Sequence, residues 1–337
     1  MFEKFLLCQA KTHNSFGVLD AAKMCYQAAN GVAHIISEKA RECFYKEYES
    51  AVTDAPVFEE IGGGFVRVNL GGWKAESLNP DWLYRLLCKT AEQNGRGDLE
   101  DRLNAVTSLA ERGEMPFSLA EWQDFLETYD RTPPSHSMEY KAQNNPLYRV
   151  IKRDYVNLLP ILKKCAKSNQ KPTVIAIDGN AASGKTTLCK LLCEVLPAES
   201  VQMDHFFLPP SKRTAVRLKE TGGNIDYERF CEEVLPFVRE DFEYTRYDCS
   251  KLDFSGKIKI QNGDFLIVEG SYSLHPKFRD YADIKIFCEI DSETQMERII
   301  KRNGPELARR FRLEWLPMEN KYFEEFNIKK KCDIILR

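Results

Sequence analysis

Thr173-Val174-Ile175-Ala176-Ile177 is an apolar run of strand length, and only Asp178 separates it from Gly179-Asn180-Ala181-Ala182-Ser183-Gly184-Lys185-Thr186. Thr187-Leu188-Cys189-Lys190-Leu191-Leu192 then continues as a helix. Few folds accept a buried strand, a tight glycine loop and a helix in that order. Gly179 and Gly184 let the backbone turn successive N–H groups inward. The helix N-terminus adds partial positive charge at the same point. The stretch 179–187 therefore predicts a phosphate cradle for ATP. Lys185 reaches the β- and γ-phosphates as a point charge, and the Thr186 hydroxyl ligates Mg²⁺. The bare spacing arises by chance in a chain this long at roughly one in a hundred, from average residue frequencies, and here its flanks agree as well.

The chain beyond residue 147 repeats the alternation that such a loop needs. Phe265-Leu266-Ile267-Val268 and Ile284-Lys285-Ile286-Phe287-Cys288-Glu289-Ile290 read as further buried parallel strands. Helical patterns fit 186–194, 227–238 and 293–302. The prediction is an α/β domain with a doubly wound parallel sheet over 147–337. Glu269 ends one of these strands, where an acid beside a phosphate loop holds Mg²⁺ through water. Val201-Gln202-Met203-Asp204 ends in another acid, on a strand expected to lie next to the first. Asp204 there either takes the proton of an attacking hydroxyl or caps a surface turn, and the residues alone leave both open.

Residues 1–130 predict a mainly helical domain of unassigned role: acceptor binding, regulation or dimerisation. Residues 17–48 carry Val18, Ala21, Ala22, Cys25, Ala28 and Ala29 at helical spacing, and 79–93 open on Asn79-Pro80-Asp81. Ser118-Leu119-Ala120-Glu121 is a capping box. Phe65–Leu70 alternates like a strand, and Gly62-Gly63-Gly64 reads as a plain turn, since no helix opens after it. His13 and His34 read as structural, and Trp73, Trp82 and Trp122 as helical core. Asp130–Ser137 and Asn144-Asn145-Pro146 are rich in turn formers, so 131–146 is expected to be a linker.

Bulk properties narrow the partners. A net charge of −3 and a pI near 6.1 argue against a dedicated nucleic-acid binder. No stretch approaches the ~20 apolar residues of a membrane span, and Glu3 interrupts the apolar start, which is no signal peptide. The eleven cysteines include no Cys-x-x-Cys pair, so the expectation is reduced thiols in the cytoplasm. Homo-oligomerisation stays open.

From about residue 170 onward the chain resembles the uridine kinase and phosphoribulokinase family of P-loop kinases. The pieces are Ile177-Asp178-Gly179 with the loop, Met203-Asp204-His205-Phe206-Phe207-Leu208-Pro209, and Asn224-Ile225-Asp226-Tyr227-Glu228-Arg229-Phe230. Tyr247-Asp248, Val268-Glu269-Gly270-Ser271-Tyr272 and Met296–Arg302 follow, then Trp315, Lys321-Tyr322-Phe323 and Cys332-Asp333-Ile334-Ile335. The resemblance implies that Asp204 is the general base and that Asp226 accepts hydrogen bonds from a sugar's vicinal hydroxyls. It also implies that Tyr247 and Tyr272 border the acceptor, a nucleoside. Arg298, Lys301 and Arg302 would belong to a lid over ATP, and Arg298 and Arg302 do share a helix face, with Arg309, Arg310 and Arg312 close behind.

One departure stands out. The histidine with which uridine kinases read the pyrimidine after the Tyr-Asp pair has no counterpart in Cys249-Ser250-Lys251-Leu252-Asp253. His275 either faces the acceptor or caps the turn before Pro276. Other acceptors therefore stay in play: pantothenate, ribosylnicotinamide, a sugar phosphate or glycerate. Lys212, Arg213, Arg217 and Lys219 are candidate contacts for an acidic one. An ATP-sensing module and a nucleic-acid kinase are the remaining alternatives.

Overall fold

The computed structural model describes residues 1–32, 37–52, 56–92 and 97–337, so His34 lies outside the described residues. The chain divides into two compact units, Met1–Ala166 and Lys167–Arg337.

The first unit is mainly helical around one small sheet. It holds α1 (Phe2–Thr12), α2 (Val18–Asn30), α3 (Glu38–Ser50), β1 (Phe58–Gly62), β2 (Phe65–Asn69), α4 (Leu70–Ala75) and α5 (Pro80–Glu92). α6 (Leu99–Glu111), α7 (Leu119–Thr128), α8 (Met138–Asn144), β3 (Tyr148–Lys152) and α9 (Leu159–Lys167) complete it. The apolar stripe expected over 17–48 belongs to α2, which stops at Gly31, where φ is 65°. Ser37 caps a separate helix, α3, by accepting from the Ala40 N–H at 3.1 Å. Ala21, Met24, Cys25 and Ala28 of α2 pack with Leu103, Val106 and Leu109 of α6 and Trp122 of α7. The Ser118–Glu121 capping box forms in both directions and starts α7. Trp73, Trp82 and Trp122 are all buried, and His13 is tied to Asn144 Oδ1 at 2.8 Å.

The segment 131–146, expected to be a linker, instead packs inside this unit. Asp20, fully buried on α2, accepts from His136 Nδ1 at 2.6 Å, from the Ser137 N–H at 3.1 Å and from Ser137 Oγ at 2.8 Å. The polar turn formers of this stretch satisfy a buried carboxylate, where a linker would leave them to water. Residues 148–152, expected in the α/β domain, pair as β3 antiparallel to β2, with Phe65 opposite Lys152 and Asn69 opposite Tyr148. Val150 and Ile151 are buried there, which explains the pairing.

His136 is itself only 4% exposed, and Tyr148 closes its other side through Nε2 at 2.7 Å. Burial, with Lys23 and Arg67 nearby, pushes the imidazole down to about 4 despite the Asp20 carboxylate. Between pH 6.5 and 4 the unfolded chain then takes a proton that the folded one refuses. Stability of this unit is therefore complete above pH 6.5 and falls as the pH drops toward 4, by on the order of 3 kcal/mol. Thermal melts across that range test this: the wild type should show the slope and His136→Gln should lose most of it, and equal slopes would reject it.

The second unit is an α/β domain. Its elements are β4 (Thr173–Gly179), α10 (Lys185–Val195), β5 (Glu199–Gln202), α11 (Ala215–Lys219), α12 (Tyr227–Glu233), β6 (Phe242–Asp248), β7 (Asp253–Ile260) and β8 (Phe265–Glu269). β9 (Ile284–Cys288), α13 (Ser292–Arg310), α14 (Leu316–Glu325) and β10 (Ile334–Leu336) follow. The central sheet is parallel with order β10-β9-β4-β8-β5, and β6 and β7 form a separate antiparallel hairpin.

β5 does not lie beside β4 as expected. β8, buried along its whole length, stands between them, whereas β5 is only partly covered and takes the edge. Pro236 shortens the helix expected over 227–238, so α12 stops at Glu233 and a 3₁₀ turn follows. α13 breaks at Gly304, where φ is 77°, just ahead of Pro305. The carboxyl ends of β4, β8 and β5 thus deliver the glycine loop, Glu269 and Asp204 to one edge of the sheet, where open α/β sheets take their ligands.

Candidate active site

The loop from Gly179 to Thr186 is shaped by its own sequence. Gly179 has φ 135° and lies so close to β9 that an added Cβ would meet Cys288 O at 2.1 Å. Asn180 N–H donates to Cys288 O at 3.1 Å, and Ser183 N–H closes the turn on Asn180 O at 3.2 Å. Ala182 and Gly184 are left-handed at φ 58° and 95°. Lys185 Nζ lies inside the loop, on Gly179 O at 2.7 Å and Asn180 O at 2.8 Å. Thr186, at the start of α10, donates to Glu269 Oε1 at 3.1 Å, and Thr187 beside it is exposed. Burial raises the pKa of Glu269, while the Lys185 charge opposes the rise.

Asp178, fully buried just before the loop, collects four donors. Its Oδ1 accepts from Gly179 N–H at 2.8 Å and Tyr272 N–H at 3.2 Å. Its Oδ2 accepts from Leu274 N–H at 3.1 Å and Tyr322 Oη at 2.7 Å. It therefore fixes the end of β4, the loop after β8 and the helix α14 together.

The acidic residues expected to meet an acceptor lie on two short loops. Asp204 is exposed in a 3₁₀ turn, Met203–Phe206, that follows β5 directly. Asp226 caps α12 and is fully buried; its backbone N–H donates to Phe206 O at 2.7 Å, so the two acidic loops are joined. Lys212 donates to Asp226 Oδ2 at 2.9 Å. Tyr247 is buried on β6, edge-on to Phe254, with the Arg213 charge close by.

Two residues expected at the acceptor are buried in aromatic packing. Tyr272 is buried against Tyr322 at a ring distance of 4.7 Å. His275 is stacked between Tyr227 at 5.4 Å and Tyr322 at 6.0 Å. Its Nδ1 accepts from the Lys277 N–H, so the proton is on Nε2 and donates to Thr221 O at 3.3 Å. His275 thus caps the turn at Pro276, and burial keeps it neutral by lowering its pKa. Aromatic packing that only the tertiary fold creates took both side chains inward. Arg217 is likewise spent on structure, on both carboxylate oxygens of Glu228, on Gly223 O and Ile225 O, and over the Tyr227 ring at 3.6 Å.

Of the two arginines expected in a lid, Arg298 donates to Ala182 O at 3.2 Å. Arg302 donates to its neighbour Asn303 at 2.9 Å. Three contributors escaped the sequence reading: Gln295, which donates to Ala181 O at 2.9 Å, Tyr322 on Asp178, and Glu319, which accepts from Ala181 N–H at 2.8 Å. Gln295 lay in an expected helix and Tyr322 in the quoted Lys321-Tyr322-Phe323, but neither pattern says which loop they meet, and nothing marked Glu319.

No family model matches the chain. The uridine kinase of Staphylococcus haemolyticus, however, is 30% identical over 182 residues, which cover 49% of this chain and 86% of that protein. Through its C-terminal half, the chain belongs to the uridine kinase family. The uridine kinase of Ligilactobacillus salivarius is similar too, at 28% identity over 51% of this chain and 87% of that protein. Uridine kinase-like protein 3 of Arabidopsis thaliana is 29% identical over 49% of this chain, which spans only 39% of that relative's length. Among solved structures, a possible uridine kinase from Bacillus stearothermophilus is similar over 55% of this chain and 98% of its own, at 20% identity and a TM-score of 0.44.

Chemically, this member of the family offers a donor-lined loop with one cation, a hydroxyl beside a carboxylate that suits a hard metal ion, and two further carboxylates, Asp204 and Asp226, on joined loops. Among the described residues no three His, Cys, Asp or Glu side chains form a metal site by themselves. Mg²⁺ needs only one or two protein oxygens beside phosphates and water, so Thr186 and Glu269 fit it.

Proposed function

We propose that the Lys167–Arg337 unit transfers the γ-phosphoryl group of ATP to a hydroxyl of a small molecule, with a nucleoside as the leading acceptor. The observation that carries this reading is the convergence of the glycine loop, Glu269 and Asp204 at the carboxyl ends of three parallel strands. Loop amides and Lys185 bind the phosphates. Thr186 and, through water, Glu269 would hold Mg²⁺, whose charge offsets that of the transferring group. Asp204, free to reach a ligand from its exposed turn, orients the attacking hydroxyl and takes its proton. Asp226 accepts from a sugar diol, Tyr247 borders it, and Arg298 and Arg302 neutralise charge on the phosphoryl oxygens.

A second reading has an observation of its own. Lys212 already lies on Asp226, and Arg213 lies beside Tyr247, so the same site supports an acceptor with an acidic group, such as a sugar phosphate or glycerate. No helix among the described residues is long and apolar enough to cross a membrane. The eleven free cysteines fit a reducing compartment, and we place the protein in the cytoplasm.

ADP release with Mg-ATP across nucleosides, pantothenate, ribosylnicotinamide, glycerate and pentose phosphates tests both readings, with Lys185→Ala as the blank. Turnover on uridine or cytidine at least 100-fold above the blank is expected. Turnover on acids alone selects the second reading. Silence on every acceptor, with ATP still bound, would reject both and favour an ATP sensor.

A further inference from the structure

Ala181 is the third residue of the phosphate loop, and both of its backbone polar groups are held from the C-terminal side of the unit. Its N–H donates to Glu319 Oε2 at 2.8 Å, and its carbonyl accepts from Gln295 Nε2 at 2.9 Å. Glu319 is only 5% exposed, and its other oxygen accepts from Ser271 Oγ at 2.5 Å. Ser271 Oγ also lies 3.2 Å from Gly179 O, so the chain of contacts returns to the first residue of the loop. No cation pairs with the Glu319 carboxylate among these contacts. Lys185, the nearby charge that favours its ionised form, is bonded to loop carbonyls. Burying a carboxyl group is costly, and for packing alone an apolar side chain would serve.

The rest of this helix face makes similar contacts. Tyr322, one turn further along α14, donates to Asp178 at 2.7 Å. Glu325, another turn on, accepts from Thr221 Oγ1 at 2.6 Å, in the loop that leads to Asp226. One face of α14 therefore touches the start of the phosphate loop, its tip and the acceptor-side loop.

We propose that Glu319 is a positioning residue for phosphoryl transfer. Its carboxyl group fixes the Ala181 peptide, and this holds Ala182 in the left-handed conformation that a non-glycine residue otherwise avoids. With that turn fixed and Ser183 N–H closing it on Asn180 O, the following N–H groups from Gly184 to Thr186 face the phosphates. Glu319 touches neither nucleotide nor acceptor; it acts through the loop. The inference rests on the reading of this unit as an ATP-dependent kinase.

The test measures Mg-ATP affinity of the full chain by calorimetry, beside its melting curve. Glu319→Ala should weaken Mg-ATP binding tenfold or more. Glu319→Gln should stay within threefold, because its Oε1 accepts the same N–H and its Nε2 donates to Ser271. A residue that only stabilised the fold would lower the melting temperature and leave the affinity of the folded protein unchanged. Binding by Glu319→Ala within threefold of the wild type overturns the proposal, and so does Glu319→Gln as weak as Glu319→Ala. Should Glu319→Ala not fold, Ser271→Ala decides: a threefold or greater loss of affinity supports the proposal, and wild-type affinity overturns it. Failure of the wild type itself to bind Mg-ATP would instead remove the kinase reading, a distinct result.

Discussion

Asp204→Asn is expected to lower kcat by roughly 10²- to 10⁴-fold, the usual contribution of a positioned general base, while Mg-ATP binds as before. The reasoning is steric and electrostatic. Asn has the shape of Asp but cannot take a proton, and Asp204 lies on the loop after β5, away from the glycine loop's own hydrogen bonds. Its turn is held by its neighbours: His205 Nδ1 meets Tyr244 Oη at 2.9 Å, and His205 O accepts from Arg229. The substitution should therefore leave the scaffold intact. Rapid-quench measurement of a single turnover on the best acceptor, beside calorimetry for Mg-ATP, separates chemistry from binding. A loss below tenfold would take the base role from Asp204. Unchanged ATP turnover together with an unresponsive acceptor panel would favour a sensing module.

Gly179→Ala should disable the second unit altogether. The new methyl would lie 2.1 Å from Cys288 O and 2.6 Å from Cys288 N, both backbone atoms of β9, at a φ of 135° that L side chains rarely adopt. Neither strand has room to yield, because β4 and β9 are paired in register from Ile175–Ile284 to Gly179–Cys288. A loss of about 4 kcal/mol or more is expected, at the extreme of single substitutions. Gly184→Ala gives the contrast: its Cβ would meet nothing within 4 Å, leaving only the strain of φ 95°, about 1–2 kcal/mol. Urea unfolding followed by circular dichroism compares the two. Equal midpoints would show that the β4–β9 approach is looser than the structure has it.

The sequence was most legible where chemistry demands fixed spacing. The loop 179–186, the strand before it and the acid ending β8 could be read directly, because phosphate binding leaves little choice of residue type or order. It was least legible where a residue's partner is distant in the chain. Residues 131–146 have a linker's composition, yet Asp20 draws His136 and Ser137 into a core. Tyr272 and His275 are polar aromatics beside a strand end, a natural place for ligand contacts. Tyr227, 48 residues before His275, and Tyr322, 47 residues after it, stack on its two faces, and Tyr322 also packs against Tyr272, 50 residues away. Glu319 carried no local signal, since only the approach of α14 to Ala181 gives its carboxyl group a purpose. The place of β5 was misjudged for a similar reason: the more apolar β8 arrives later in the chain and takes the centre.

The strand order also governs the order in which the second unit can be made. β4 emerges first, but its two neighbours are β8 and β9, with Thr173 opposite Phe265 and Ile175 opposite Ile284. Until those distant stretches have been synthesised, Val174–Ile177, wholly buried in the finished fold, has no strand to pair with. Such long-range parallel pairing is slow and leaves sticky edges exposed meanwhile. A fragment ending before Phe265 would hold the complete phosphate-binding sequence and still have no sheet on which to display it.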